Sequence, residues 1–186
     1  MEKSKEFTFK IAAYHKPFRP HTKSKKENMD LYNLWAFLFE DYGLDISVDA
    51  DSHMSKITFP IVPDPDKTNE FFKRDDENGT IYLGEGSWGA VPRPNNDDKP
   101  WTFRSGSFNQ FKWLQVFPES DNEAARIDIR TVITSTRDTS NNSISHVENV
   151  EALSEDNVFA IPKGIEFFST EPYGAVITYP FEEKSE

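Results

Sequence analysis

Apolar and polar side chains mostly alternate along this chain in short runs, the period of half-buried strands. RIDIRTVIT (126–134) shows it best, with Ile127, Ile129 and Thr131 on one side and Asp128, Arg130 and Val132 on the other. One stretch keeps a different period. In NMDLYNLWAFLFEDYG (28–43), Leu31, Leu34, Trp35, Leu38 and Tyr42 recur every three or four residues. That spacing predicts a helix with this stripe against a core. Asn28 is placed to cap its first turn, Asp30 suits the positive end of its dipole, and Gly43 falls where a left-handed residue closes a helix.

The other segments read as strands and turns. FTFKIAAY (7–14) predicts a strand, followed by a proline-punctuated loop, KPFRPHTKSKKEN (16–28). DISVDA (45–50) and SKITFPIV (55–62) predict a hairpin around Asp51-Ser52-His53, and TIYL (80–83) a strand after the Asn78-Gly79 turn. Residues 84–107 predict a long Gly/Pro/Asp loop. FNQFKWLQVF, RIDIRTVIT, ISHVENVEAL, NVFAI, IEFF and AVITYP then predict a succession of strands. The fold class expected is α+β, mainly antiparallel, a sandwich or jelly-roll-like barrel with one amphipathic helix near the N-terminus. A single domain is expected over 1–186: a strand-helix part over about 7–62, the loop 84–107, and a β-rich part over 108–181.

Composition narrows the chemistry. Sixteen Phe and four Trp supply a core, and the absence of cysteine excludes disulfides, thiolate metal sites and cysteine nucleophiles. A net charge of −11 disfavours direct nucleic-acid and membrane-surface binding and suits a basic protein partner. No stretch has the length and hydropathy of a membrane span, so the location expected is cytoplasmic, intracellular in the host.

LGEGSWGAV (83–91) resembles the glycine-rich phosphate loop of protein kinases in Gly84, Gly86, Gly89 and Val91. The resemblance implies no ATP site here. Pro92 and Pro94 interrupt the second flanking strand, and the lysine, HRD and DFG motifs have no counterpart. The same letters fit a dinucleotide fingerprint, but VPRPNNDDKP cannot start the helix that motif requires. DNVFAIPKGIEFF (156–168) is similar to the second cupin motif at Pro162 and Gly164, which implies a barrel-type strand. Phe167 occupies the place of the cupin metal histidine, and no HxH precedes it.

Three constellations remain. Asp49, Asp51 and His53 alternate in DADSH and, if extended, would face one way as a weak metal triad; otherwise no metal or cofactor is expected. His15, Lys16, Arg19, His21 and Lys23 form a basic loop with the composition of an anion grip. Trp88, Arg93, Trp101 and Arg104 place aromatics beside arginine in the long loop, the composition of interface hot spots.

The function expected is a non-enzymatic protein-binding module, such as an inhibitor, an immunity-type protein or a phage or bacterial accessory protein. In that reading an acidic face steers a basic partner onto Trp88 and Trp101. The alternatives are a small-molecule or sugar-binding barrel using Arg104, Arg130 or His146, and a structural subunit of a larger assembly.

Overall fold

The computed structural model describes residues 7–137, 144–146, 166–167 and 177–180. Their regular structure is mainly strands, in one mixed and one antiparallel sheet that do not close into a barrel. The first sheet runs β1 (Ile11–Ala13), β2 (Ile46–Val48), β5 (Thr80–Gly84), β3 (Ser55–Pro63), β4 (Phe72–Arg74), with β6 (Thr102–Gly106) also on β3. β1–β2 and β2–β5 are parallel, whereas β3 is antiparallel to β4, β5 and β6. The parallel pair β1–β2 follows from the helical crossover between them, since a tight turn can only reverse a strand.

β5 lies between β2 and β3, and all five of its residues are buried. Burial on both faces explains why TIYL reads as a continuous run rather than an alternating one. β3 is long and irregular, with register shifts at Ile57/Pro60 and Ile57/Thr58. Pro60 has no amide hydrogen to give a ladder, so a bulge is where the strand tolerates it.

In the second sheet, β8 (Arg126–Arg137) pairs antiparallel with β7 (Phe108–Phe117), β9 (Ile144–His146), β10 (Glu166–Phe167) and β11 (Ile177–Tyr179). The expected strand NVFAI and the Pro162–Gly164 turn lie outside the described residues.

Two apolar clusters share β5. Tyr82 points to one cluster with Phe18, Tyr32, Ala36, Ile61, Phe72 and Trp101. Ile81 and Leu83 point to the other, with Ile46 and Ile57 from the first sheet and Ile127 and Ile129 from β8. The period-two geometry of one strand thus feeds both cores. The first sheet lies between the helix and the second sheet.

Three expectations need correction. Residues 45–62 are not a hairpin, because β5 separates β2 from β3 and Asp49–Met54 carries the chain across the end of β5. The segment 84–107 is not all loop, because Thr102–Gly106 pairs with β3 as β6.

The helix is present but turned. Asn28 accepts from Leu31 N, and Gly43 has φ 56. Between α1 (Met29–Leu31) and α2 (Phe37–Asp41), however, Tyr32–Ala36 is π-helical. The wider turn shifts the phase of the stripe. Tyr32 and Ala36 are buried, and Leu34, Trp35, Leu38 and Tyr42 are exposed. The Tyr32 hydroxyl, donating to Phe71 O at 2.9 Å, anchors that choice of face.

Candidate functional site

The three parallel strands β1, β2 and β5 end at one edge, and the loops that follow them meet there. They are the basic loop (14–28), DADSHM (49–54) and the glycine loop (85–101). Ala50 N donates to His15 O, His53 N to Glu85 O, and Arg93 N to His53 O. The basic loop, DADSH and the glycine-rich stretch, each singled out in the sequence, therefore contribute to one region.

The glycines serve this junction. A Cβ on Gly84 would meet Asp49 Oδ1 at 1.9 Å, and one on Gly86, at φ 56, would meet Ala50 Cβ at 2.8 Å. They admit the β2–β3 crossing against the end of β5. Gly89, at φ 81, has open space beside it and is kept for its backbone angle alone.

Beneath the loops lies a buried ionic chain. Lys56 Nζ donates to Asp49 Oδ2 at 2.7 Å and lies 3.2 Å from Glu85 Oε1. His21 N donates to the same Glu85 carboxylate, His21 Nδ1 lies 3.2 Å from Oε1, and Nε2 lies 2.6 Å from Thr102 Oγ1. On β7, Lys112 Nζ donates to Ser55 Oγ and Thr131 Oγ1, both at 2.8 Å, and so ties the two sheets.

Burial sets the charge states. It pushes the Asp49 carboxyl up to about 7, only partly opposed by Lys56. It also acts on Glu85, but there Lys56 and the His21 bonds outweigh it and hold the carboxyl at about 2. Asp49 and Glu85 keep Lys56 charged against its own burial. Burial lowers His21, so its neutral ring donates from Nδ1 to Glu85 and accepts the Thr102 hydroxyl at Nε2. The Lys112 ammonium is enclosed although the residue is half-buried, and burial, reinforced by Lys56, pulls it down to about 7.

Thr102, His21 and Glu85 stand in the order hydroxyl, imidazole, carboxylate that activates nucleophiles elsewhere. Here Thr102 Oγ1 also accepts from Lys99 N at 2.9 Å, and His21 is fully enclosed. The chain of bonds clamps the basic loop to β5 and β6.

The surface above is cationic and aromatic. Asp51 accepts from Lys25 Nζ at 2.7 Å and lies 3.7 Å from His15 Nε2. The Lys25 bond leads the causes that lower its pKa, with His15 and Lys16 adding to it. Arg93 Nη1 donates to Asp51 O at 2.7 Å. Burial, then Arg93, lowers His53. Beside this group Trp88 is 74% exposed, tilted against Phe111 at 5.3 Å, and Val91 is exposed.

The predicted residues separate accordingly. His15, Lys16 and Lys23 stay at the surface, but His21 and Arg19 are interior. Arg19 pairs with Glu27 at 2.6 Å and with Glu70, and it lies over the Phe71 ring. DADSH is not extended: Asp51 (φ 65) and His53 (φ 57) are left-handed, so Asp49 turns inward and Asp51 outward. Among the described residues no three His, Asp or Glu side chains gather as a metal set. Trp88 and Arg93 share the loop surface. Trp101 is 3% exposed and donates Nε1–H to Glu70 O, and Arg104 sits on β6 with its guanidinium over Phe103.

Sequence reasoning missed Lys56, Glu85, Thr102 and Lys112. A lysine inside the apolar run SKITFPIV is the available signal, because a charge in a buried strand requires a partner. The His146 side chain lies outside the described residues. No helix among the described residues is long and apolar enough to cross a membrane. No family model matches the chain, and neither a curated protein nor a solved structure matches it.

Proposed function

We propose that this chain is a non-enzymatic protein-binding module, acting inside the cell as an inhibitor, an immunity-type protein or an accessory protein. The observation that carries this reading is Trp88, exposed beside Val91 on a loop whose base is locked by Glu85, His21 and Lys56. An exposed indole on a rigid support is a low-entropy anchor. Trp101, the second anchor expected from sequence, is spent on the core. A two-sheet sandwich with the helix outside is the architecture this reading assigns.

Charge at the face indicates the partner. His15, Lys16 and Lys25 approach the Asp51 carboxylate and Arg93 donates to the Asp51 carbonyl, a basic group on a chain of net −11. An acidic segment of the partner fits there, flanked by Trp88. The basic partner that the net charge favours would contact other surfaces.

The test is affinity capture with the wild type and with Trp88→Ala and Arg93→Ala, followed by association kinetics against salt. The expected outcome is a partner lost with either variant and an on-rate that falls as salt rises. A partner retained by both variants, or no partner at all, would sink the proposal.

The second reading, a structural subunit, is favoured by the exposed helix residues Leu34, Trp35, Leu38 and Tyr42. Native mass spectrometry separates the two. A defined multimer abolished by Leu38→Glu supports the subunit, and a monomer supports the module.

A further inference from the structure

The basic loop and the buried ionic chain approach each other across a cavity of about 10 Å³, lined by Phe18, Arg19, Asp49, Lys56, Tyr82 and Trp101 among others. Its polar residues are as buried as its aromatic ones: Arg19 and Asp49 are each 4% exposed. Both bring hydrogen-bonding atoms that no protein group satisfies. Arg19 uses Nη2 for Glu27 and Glu70, while its Nε and Nη1 have no partner. Asp49 uses Oδ2 for Lys56, while its Oδ1 has none.

Leaving such groups unpaired in the interior forfeits their hydration with nothing in return, and the loss is greater where the group is charged. Arg19 and Asp49 both line the cavity, and between them they offer two unpaired donor atoms and one unpaired acceptor, a set that a single water can serve because it both donates and accepts. The volume agrees, since about 10–15 Å³ of this measure holds one water molecule. An anion would face the Asp49 carboxyl, and a cation would face Arg19 and Lys56. A neutral molecule that both donates and accepts suits both sides.

We infer that the cavity between Arg19 and Asp49 is a binding site for one water molecule, which donates to Asp49 Oδ1 and accepts from the Arg19 guanidinium. The water joins the Glu27–Arg19–Glu70 group to the Asp49–Lys56–Glu85–His21 chain, making one network from the surface of the basic loop to the core. It stands independently of the proposed function.

Atomic-resolution crystallography of the wild-type chain tests the site directly. The expected result is density for one water within hydrogen-bonding distance of Asp49 Oδ1 and of Arg19 Nε or Nη1. A dry cavity, a direct Arg19–Asp49 ion pair, or an ion in place of the water would overturn the inference. Water-¹⁷O magnetic relaxation dispersion gives a second readout in solution. The count of long-lived waters should fall by one in Arg19→Met relative to wild type, and an unchanged count in a folded variant would also overturn it. Should Arg19→Met not fold, Asp49→Asn gives the second variant: its amide oxygen turns to accept from Lys56 and its NH2 donates to the water. The water should therefore remain, and its loss from the folded variant would overturn the inference.

Discussion

Asp49 lies so close to Gly84 that a side chain at 84 would begin 1.9 Å from its Oδ1. Asp49 cannot swing away, because its other oxygen is held by Lys56 in the interior. Gly84→Ala should therefore cost about 3 kcal/mol, the upper range of overpacking, measured as a urea midpoint shift. Combining it with Asp49→Ala should recover part of that loss, since the two sites are in contact. Purely additive costs would show that the clash has been relieved some other way.

Glu85 is the carboxylate on which the interior chain converges. Glu85→Gln leaves Lys56 with one acidic partner and removes the charge facing His21. A loss of about 3–5 kcal/mol is expected, the cost of breaking a buried ion pair from one side. Glu123→Ala, at the exposed pair with Arg126, should change stability by less than about 1 kcal/mol. Similar losses for the two variants would contradict the burial of the chain.

Asp49 and Lys112 give stability a pH profile with a defined sign. Asp49 binds its proton more tightly when folded, about 7 against 3.8. Its contribution is present below pH 3.8 and is lost as pH rises to about 7. Lys112 binds its proton less tightly when folded, about 7 against 10.5. Its contribution is present above pH 10.5 and is lost as pH falls to about 7. Both contributions are smallest near neutrality. Denaturant midpoints should show Asp49→Asn flattening the acid-side slope and Lys112→Met the alkaline one. Unchanged slopes would refute these assignments.

Trp88 and Trp101 should respond oppositely to truncation. Trp88→Ala removes an exposed ring and should change stability by less than about 0.5 kcal/mol. Trp101→Ala empties a site packed against His21 and Phe72 and should cost about 3–5 kcal/mol. Iodide should quench Trp88 fluorescence and spare Trp101. The reverse pattern would exchange their places in the fold.

What the sequence disclosed was local. Asn28 and Gly43 mark the helix ends because capping is settled within a few residues. The face that helix buries was not legible, since the π-helical stretch and the Tyr32 bond to Phe71 O, 39 residues away, decide it. His21 read as part of a solvated basic loop, because the carboxylate that buries it is 64 residues distant. The DADSH alternation failed for a related reason: the segment spans the end of a strand that appears in the chain only later. All three loops of the candidate site were conspicuous individually, but their meeting depends on parallel pairing, which leaves no short-range signature.

The central position of β5 bears on how the chain acquires its structure. β2 and β3 precede it, yet both pair with it, and β2 has its other neighbour in β1. During synthesis the first sheet therefore cannot close until residue 84 has emerged. Lys56 and Asp49 enter the folding reaction hydrated, and Glu85 arrives last to give Lys56 its second carboxylate. Distant pairings of this kind carry the loop-closure entropy that slows folding, so the transition state awaits the strand at the middle of the sheet rather than the helix that forms beside it.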